Sequence, residues 1–211
     1  MKNLIMLLLA CCLIMPAAMA NNRNKQLEKA LKKEKKEKMK EYKKEGWKLF
    51  GSSRSLEVAL LTHYEKLGKL GEDGREITGV ATNVKSKNAG HQIAINNACL
   101  TYAQQAGSHI KGRIVSDFAA NGTDGTGEFD HFYAAYERLV EKEIRGEMQE
   151  SYTIIRDTGN NIYEFQTFFI VSENAASKAR IRAMEDAFKE SEAAQRHAET
   201  IAKFVKEGVN E

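Results

Sequence analysis

Side chains suited to acid–base, nucleophilic or metal chemistry are few in this 211-residue sequence, and their spacing forms no familiar catalytic or metal-binding motif. The histidines show neither the H-E-x-x-H nor the Cys-x-x-Cys spacing that zinc sites use. They are His63, His91, His109, His131 and His197. We therefore predict structural histidines at the surface or half-buried, with no bound metal and no cofactor.

Outside the first twenty residues the only cysteine is Cys99, which lies beside Ala98 and Tyr102 on the apolar side of a predicted helix. This position favours a small buried apolar side chain over a nucleophile. His91 lies two turns earlier on the same predicted helix, beyond the reach of a catalytic pair. The serines, Ser151 among them, lack the Gly-x-Ser-x-Gly setting of a nucleophile elbow. We predict no catalytic residue and a protein that is not an enzyme.

Residues 121–128 form the clearest loop of the sequence, with three glycines and no apolar side chain. The loop lacks the Lys-Ser/Thr ending of a phosphate-binding loop. The oxygens of Asn121, Asp124, Glu128 and Asp130 are of the type that binds calcium, but their spacing differs from that of a helix-loop-helix calcium site. The alternative to a non-enzymatic role is a secreted or periplasmic hydrolase with a nonstandard site near residues 122–130.

The first twenty residues have the order of a secretory signal, with a charged start at Lys2, an apolar stretch, and Pro16 before a small-x-small end. We predict cleavage after Ala20 and an exported bacterial protein of the cell envelope, either periplasmic or associated with the outer membrane. A second interpretation stays open. The run Leu-Leu-Ala-Cys ending at Cys11 has the form of a lipoprotein signal, which would place a lipid anchor on that cysteine.

Residues 21–48 form an arm rich in lysine and glutamate, attached to an acidic body. From Arg23 to Lys48 there are 12 Lys and Arg against 5 Glu, whereas from Leu49 onward there are 19 basic and 24 acidic residues. The arm consists of strong helix formers, and Glu28–Lys32 and Glu34–Lys38 are stabilising i,i+4 pairs. We predict a helix.

Two interpretations of this arm remain. It is either a solvated charged helix that acts as a spacer, or a polybasic segment whose lysines begin at Lys25 and end at Lys48. In the second case it would be drawn to an anionic membrane, another polyanion or an envelope protein. Export and the lack of interleaved base-stacking aromatic residues argue against nucleic acid as a partner.

The pattern of apolar residues in the body predicts an α+β fold. Trp47 is expected to be a buried anchor where the arm meets the body, and Ser55 to cap the helix that follows. A strand over 75–85, helices over 88–120 and 129–145, and strands over 147–156 and 162–171 come next. The remaining residues, 173–208, read as one long helix with Ser172 as its cap.

These elements predict a small three-stranded antiparallel or mixed sheet packed on long helices that cover one face. The charged N-terminal helix and the long C-terminal helix flank it. The predicted domain organisation is a signal peptide over 1–20, the arm over 21–48, the α+β domain over 49–172 and the C-terminal helix over 173–211.

Residues 79–171 also show a family resemblance: a strand, an alanine-spaced helix, a second helix, and a hairpin that reaches Tyr163-Glu164-Phe165. The spaced alanines are Ala89, Ala94, Ala98, Ala103 and Ala106. This pattern resembles the family of twenty-kilodalton bacterial envelope lipoproteins, whose domain is similar to the N-terminal domain of the flagellar assembly protein FlgT. The resemblance implies an envelope-located α+β domain that acts in assembly or surface association, without catalysis. It assigns no functional residue.

Overall fold

The computed structural model describes residues 25–26, 28–120 and 126–208. The predicted signal sequence with Cys11 and Ala20 lies outside these residues, as do Asn121 and Asp124 of the loop. Within the described ranges, no helix combines the length and the hydropathy needed to span a bilayer.

Seven helices and four strands occur in the described residues, so the predicted α+β class is confirmed. The helices are α1 (25–26 and 28–45), α2 (Leu56–Leu70), α3 (Lys87–Ala120), α4 (Asp130–Glu147), α5 (Glu173–Phe188), α6 (Glu192–Arg196) and α7 (Ala198–Glu207). The strands are β1 (Lys48–Phe50), β2 (Gly74–Val84), β3 (Gln149–Gly159) and β4 (Ile162–Ser172). The predicted caps are confirmed, because the side chains of Ser55 and Ser172 accept hydrogen bonds from the backbone N–H groups of Val58 and Ala175.

The sheet is antiparallel with the order β1-β3-β4-β2. The prediction of three strands was wrong because β1 is a fourth strand, whose residues pair with Thr153 to Ile155 of β3. Three residues are too few to show the alternating apolar pattern that identifies a strand. The hairpin between β3 and β4 lies where it was predicted, with Asn160 and Asn161 at positive φ in its turn.

Helices cover both faces of this sheet, and the prediction of one covered face was wrong. On one face a large core joins α3, α4, α5 and α7 to Phe169 of β4. On the other face α1 and α2 enclose a smaller core that contains Phe168. The physical reason lies in β4, where Phe168, Phe169, Ile170 and Val171 are all buried. A strand with consecutive buried apolar residues must be covered on both sides.

The C-terminal segment forms three helices and not the single long helix predicted. The chain turns after Phe188, and Ser191 caps α6 by accepting a hydrogen bond from the N–H of Ala194. A further break at His197 begins α7, which places Ile201, Phe204 and Val205 in the large core. No glycine or proline marks these breaks in the sequence, so the helix-forming composition concealed them. Tertiary packing of α7 decides the fold of this segment.

Candidate functional site

Helix α1 lies against the body of the protein from Leu31 onward. Tyr42 and Trp47 are buried, with 3% and 6% of their surface exposed, in the core between the sheet and α2. Leu31 and Met39 pack against the same core. The prediction of Trp47 as a buried anchor is confirmed. The spacer interpretation does not hold for this part of α1, since its inner side is packed and only its outer side meets solvent.

Lys38 links α1 to the sheet. Its ammonium nitrogen lies 3.9 Å from Oε1 of Glu76 on β2 and 5.3 Å from the ring centroid of Phe168. The predicted pair of Glu28 and Lys32 is present, with Nζ of Lys32 at 2.6 Å from Oε1 of Glu28. Lys38, the predicted partner of Glu34, instead turns inward to the sheet. A lysine on the inner side of α1 therefore contributes both a charge and an alkyl chain to the docking contact.

Directly below α1, a histidine and a carboxylate form a close pair. His63 is fully buried and its Nε2 lies 2.5 Å from Oε2 of Glu76. Desolvation opposes ionisation of Glu76, but the hydrogen bond with His63 and the charge of Lys38 outweigh it, so the pKa of this carboxyl lies below its ordinary value. His63 was predicted to be at the surface or half-buried, and that prediction was wrong. It lies on the side of α2 that faces the sheet, where Ala59, Leu60 and Tyr64 are also buried.

Aromatic rings enclose the His63 imidazole, whereas the Glu76 side chain is 27% exposed. The His63 imidazole makes edge-to-face contacts with Tyr64 and Tyr152 at centroid distances of 5.3 and 5.2 Å. The hydroxyls of Tyr42 and Tyr152 are 3.4 Å apart, and burial raises the pKa of Tyr42 to about 12. An imidazole–carboxylate pair is suited to proton transfer, but a substrate cannot reach a fully buried ring. The pair therefore holds α1, α2 and β2 together and does not form an open reaction site.

An open groove of about 750 Å³ runs between α1 and α2 beside this buried cluster, and we call it the α1/α2 groove. Its floor is formed by Leu31, Leu61, Tyr64 and Gly68, with Gly71 at one end. Its rim carries charged side chains: Lys32, Lys35, Lys69, Glu28 and Glu65. The groove thus combines an apolar floor with a lysine-rich rim.

One feature points to an unfilled surface at this groove. Leu61 on its floor is 43% exposed. Val58, one turn earlier on α2 and outside the groove lining, is 45% exposed. Large apolar side chains exposed side by side on one helix are a sign of a surface that receives a partner.

A smaller pocket of about 240 Å³ lies where β1 ends, and it brings some of the predicted candidates together. Glu150 receives a hydrogen bond from Oγ1 of Thr153 at 2.7 Å and lies 3.1 Å from Nε2 of His91. The Ser151 hydroxyl is buried nearby and makes no hydrogen bond to either. The serine, histidine and carboxylate are adjacent but not linked in the order that activates a nucleophile.

Cys99 is fully buried, and burial raises the pKa of its thiol, which confirms the prediction of a small buried side chain.

In the described end of the 122–130 loop, Glu128 forms a salt bridge with Arg196 at 3.1 Å and Phe129 is fully buried. These contacts are structural and give the hydrolase alternative no support. No group of three or more potential metal ligands is arranged around a common point in the parts of the chain that the structure describes.

Sequence reasoning missed a second buried charge on the opposite face of the sheet. Arg180 of α5 is 1% exposed, donates from Nη1 to the Tyr102 hydroxyl at 2.6 Å and from Nη2 to Glu173 at 2.5 Å. Arg75 of β2 donates to the other oxygen of Glu173. The signal was present, since Arg180 follows Ala176 by four residues and stands among the buried alanines of α5. The network joins α3, α5 and β2.

The comparisons with known proteins identify no relative. No protein-family model, no curated protein and no solved structure matches this chain. The resemblance to the twenty-kilodalton envelope lipoproteins stays a prediction. The candidate site therefore rests on the geometry described above.

Proposed function

We propose that this protein is an exported cell-envelope protein without catalytic activity, which attaches to an anionic membrane surface through the α1/α2 groove. The observation that carries the proposal is the groove itself, with its apolar floor between two helices and a rim on which Lys32, Lys35 and Lys69 outnumber two glutamates. Anionic lipids offer the complementary chemistry, a negatively charged headgroup next to an apolar chain.

The outer side of α1 adds to this attraction. Its exposed lysines are Lys25, Lys29, Lys32, Lys33, Lys36, Lys40, Lys43 and Lys44. Each basic side chain at an anionic surface contributes about 1 kcal/mol, and the attraction falls off within a Debye length of roughly 8–10 Å. The exposed Val58 and Leu61 supply apolar area that can enter the headgroup boundary.

The location in the envelope rests on the predicted signal sequence. Cleavage after Ala20 would leave the groove and α1 as the membrane contact. Lipidation of Cys11 would add a covalent anchor, and the basic surface would add electrostatic attraction to it. The groove has a role under both interpretations.

Vesicle binding tests the proposal. The purified protein should sediment with vesicles containing phosphatidylglycerol, should stay in solution with vesicles of phosphatidylcholine alone, and should dissociate as salt increases. The triple variant K32Q/K35Q/K69Q should bind at least about tenfold more weakly, because the loss of three contributions of about 1 kcal/mol each exceeds the 1.4 kcal/mol of a tenfold change.

The matched control is K142Q/K178Q/K203Q, which removes the same charge from exposed lysines of α4, α5 and α7. It should bind almost as the natural protein does. An equal loss in both variants would show a general charge effect and contradict the groove. Binding to neither kind of vesicle would contradict the membrane and favour an envelope protein as the partner. Removing α1 altogether is a poorer test, because it would expose the core around Trp47.

A further inference from the structure

The pocket of about 240 Å³ at the end of β1, which we call the β1-end pocket, lies where three segments of the chain meet. Strand β1 pairs with β3 only as far as Phe50, which lies opposite Thr153. Residues 149–152 of β3 therefore continue without a partner in β1. The chain turns away at Gly51, where φ is +70°, and returns as α2. The walls of the pocket are β3, the turn over 51–54 and α2.

Ser151 stands at a β-bulge in the wall that β3 provides. Its neighbours Glu150 and Tyr152 lie opposite consecutive residues of β4, so Ser151 is the extra residue of the bulge. Its hydroxyl oxygen is buried and makes no hydrogen bond with any residue that the structure describes. A buried hydroxyl without a partner is costly, and bulges are common beside binding sites because they redirect a side chain. Such a group in the lining of a pocket indicates a partner supplied by a ligand.

Two cationic side chains line the same pocket. Arg54 is exposed and Lys66 is half-buried, and neither forms a salt bridge with another described residue. The ammonium nitrogen of Lys66 donates to the neutral amide oxygen of Gln149 at 3.2 Å. Glu150 contributes a carboxylate to the lining, but its Oε1 is 3.1 Å from Nε2 of His91. The pocket therefore holds two positive charges that the carboxylate does not pair with.

We propose that the β1-end pocket binds a phosphate group. Arginine and lysine are the usual cationic partners of phosphate, and a guanidinium donates two parallel hydrogen bonds to it. Hydroxyls add neutral donors. That of Ser151 is unpaired, and that of Ser52 accepts from the N–H of Arg54 at 3.2 Å and keeps its own hydrogen to donate. Phosphate offers more acceptor oxygens to this set of donors than a carboxylate does.

The size of the pocket limits the ligand to a small one. Its volume of about 240 Å³ is below the range of about 300–1,000 Å³ that is typical for drug-sized ligands, so it suits phosphate or the headgroup of a phosphate ester. A soluble ester and a phospholipid headgroup present the same chemistry. None of the described residues that line the α1/α2 groove also lines this pocket, so the proposal does not rest on the groove.

Calorimetric titration of the purified protein with inorganic phosphate at low ionic strength tests the proposal. One phosphate should bind per chain, and R54Q/K66Q should show no measurable binding. The matched control K178Q/K203Q removes the same charge from exposed lysines of α5 and α7 and should bind phosphate as the natural protein does. Absence of binding to the natural protein, or an equal loss in both variants, would overturn the proposal.

The variant S151A separates ligand binding from folding. Because the Ser151 hydroxyl has no partner among the described residues, its removal should leave the midpoint of urea unfolding unchanged. Phosphate binding should weaken at least about tenfold, because a hydrogen bond to a charged group is lost. The control S108A changes an exposed serine of α3 and should affect neither measurement. A lower midpoint with unchanged phosphate binding in S151A would contradict the proposal.

Sedimentation with phosphatidylglycerol vesicles identifies the source of the phosphate group. If the source is a lipid headgroup, R54Q/K66Q should bind these vesicles more weakly than K178Q/K203Q does. If the source is a soluble ester, the two variants should bind them equally. The groove variant K32Q/K35Q/K69Q should keep its affinity for inorganic phosphate in both cases, so failure of the groove and failure of the β1-end pocket are distinguishable. Loss of phosphate binding in the groove variant would overturn the assignment to this pocket.

Discussion

The pair formed by His63 and Glu76 shows how one residue couples the docking of α1 to pH. Glu76 bonds with His63 of α2 at one oxygen and faces Lys38 of α1 at the other. Both partners stabilise the ionised carboxylate more in the folded chain than in the unfolded chain. Loss of that charge would weaken both contacts together, so the stability of the α1 side of the sheet should fall in acid.

We therefore predict an acid-sensitive contribution from Glu76. Its folded pKa lies below the ordinary value of 4.5, so the contribution is complete above that pH and is lost as the pH falls through the lower folded pKa. The difference in free energy of unfolding between the natural protein and E76Q should shrink as the pH falls below about 4.5 in urea titrations.

At neutral pH, E76A should lower the free energy of unfolding by about 1–3 kcal/mol because the buried His63 loses its partner. The exposed control E57A should change stability by less than about 0.5 kcal/mol. A pH-independent difference between the natural protein and E76Q would contradict the role of the carboxylate charge.

At the scale of the elements, the backbone of α3 lies directly on β2 at Gly79. A Cβ atom at Gly79 would collide with the carbonyl oxygen of Ala94 and lie 2.7 Å from the backbone nitrogen of Ala98. The small residues of α3 thus allow its backbone to rest on the strand.

Substitution of Gly79 tests this contact at the scale of the element. G79A should destabilise the protein by about 3 kcal/mol, because α3 must move away from β2. The control is G112A on α3, where a Cβ atom would meet nothing within 4 Å. That substitution should stabilise the protein by up to about 1 kcal/mol through helix propensity. The midpoints of urea unfolding measure both changes. Destabilisation of equal size at the two positions would contradict the close approach.

The elements also show how far the sequence predicts this fold. Long periodic segments were predicted to within a few residues, because one side of each is buried at regular spacing, as Ala94, Ala98 and Tyr102 are on α3. The break at Ser191 was not predicted, since it depends on where α7 packs and not on a local breaker residue. The α1/α2 groove was not predicted either. Its lysines were visible in the arm, but Leu61 and Tyr64 come from α2, and only the fold brings the two helices together.

At the scale of the whole molecule, β4 joins two separate cores. Phe168 belongs to the smaller core with Trp47, and Phe169 belongs to the larger core with α3, α4 and α5. The two phenylalanines are neighbours in the chain and point to opposite faces of the sheet. A strand shared in this way couples the layers, so loss of either core should release both.

This coupling predicts a single unfolding transition that one tryptophan can report. Trp47 is the only tryptophan and lies in the smaller core, whereas far-UV circular dichroism reports mainly on the helices of the larger core. F168A and F169A should each cost about 3–5 kcal/mol, because each leaves a cavity beside buried neighbours. F169A should shift the Trp47 fluorescence transition and the dichroism transition by the same amount, although Phe169 lies on the face opposite Trp47. A fluorescence transition that stays in place while the dichroism shifts would show that the two layers unfold independently. Coincident shifts would show that the docking of α1 depends on the entire sheet, which ties the α1/α2 groove to the stability of the whole protein.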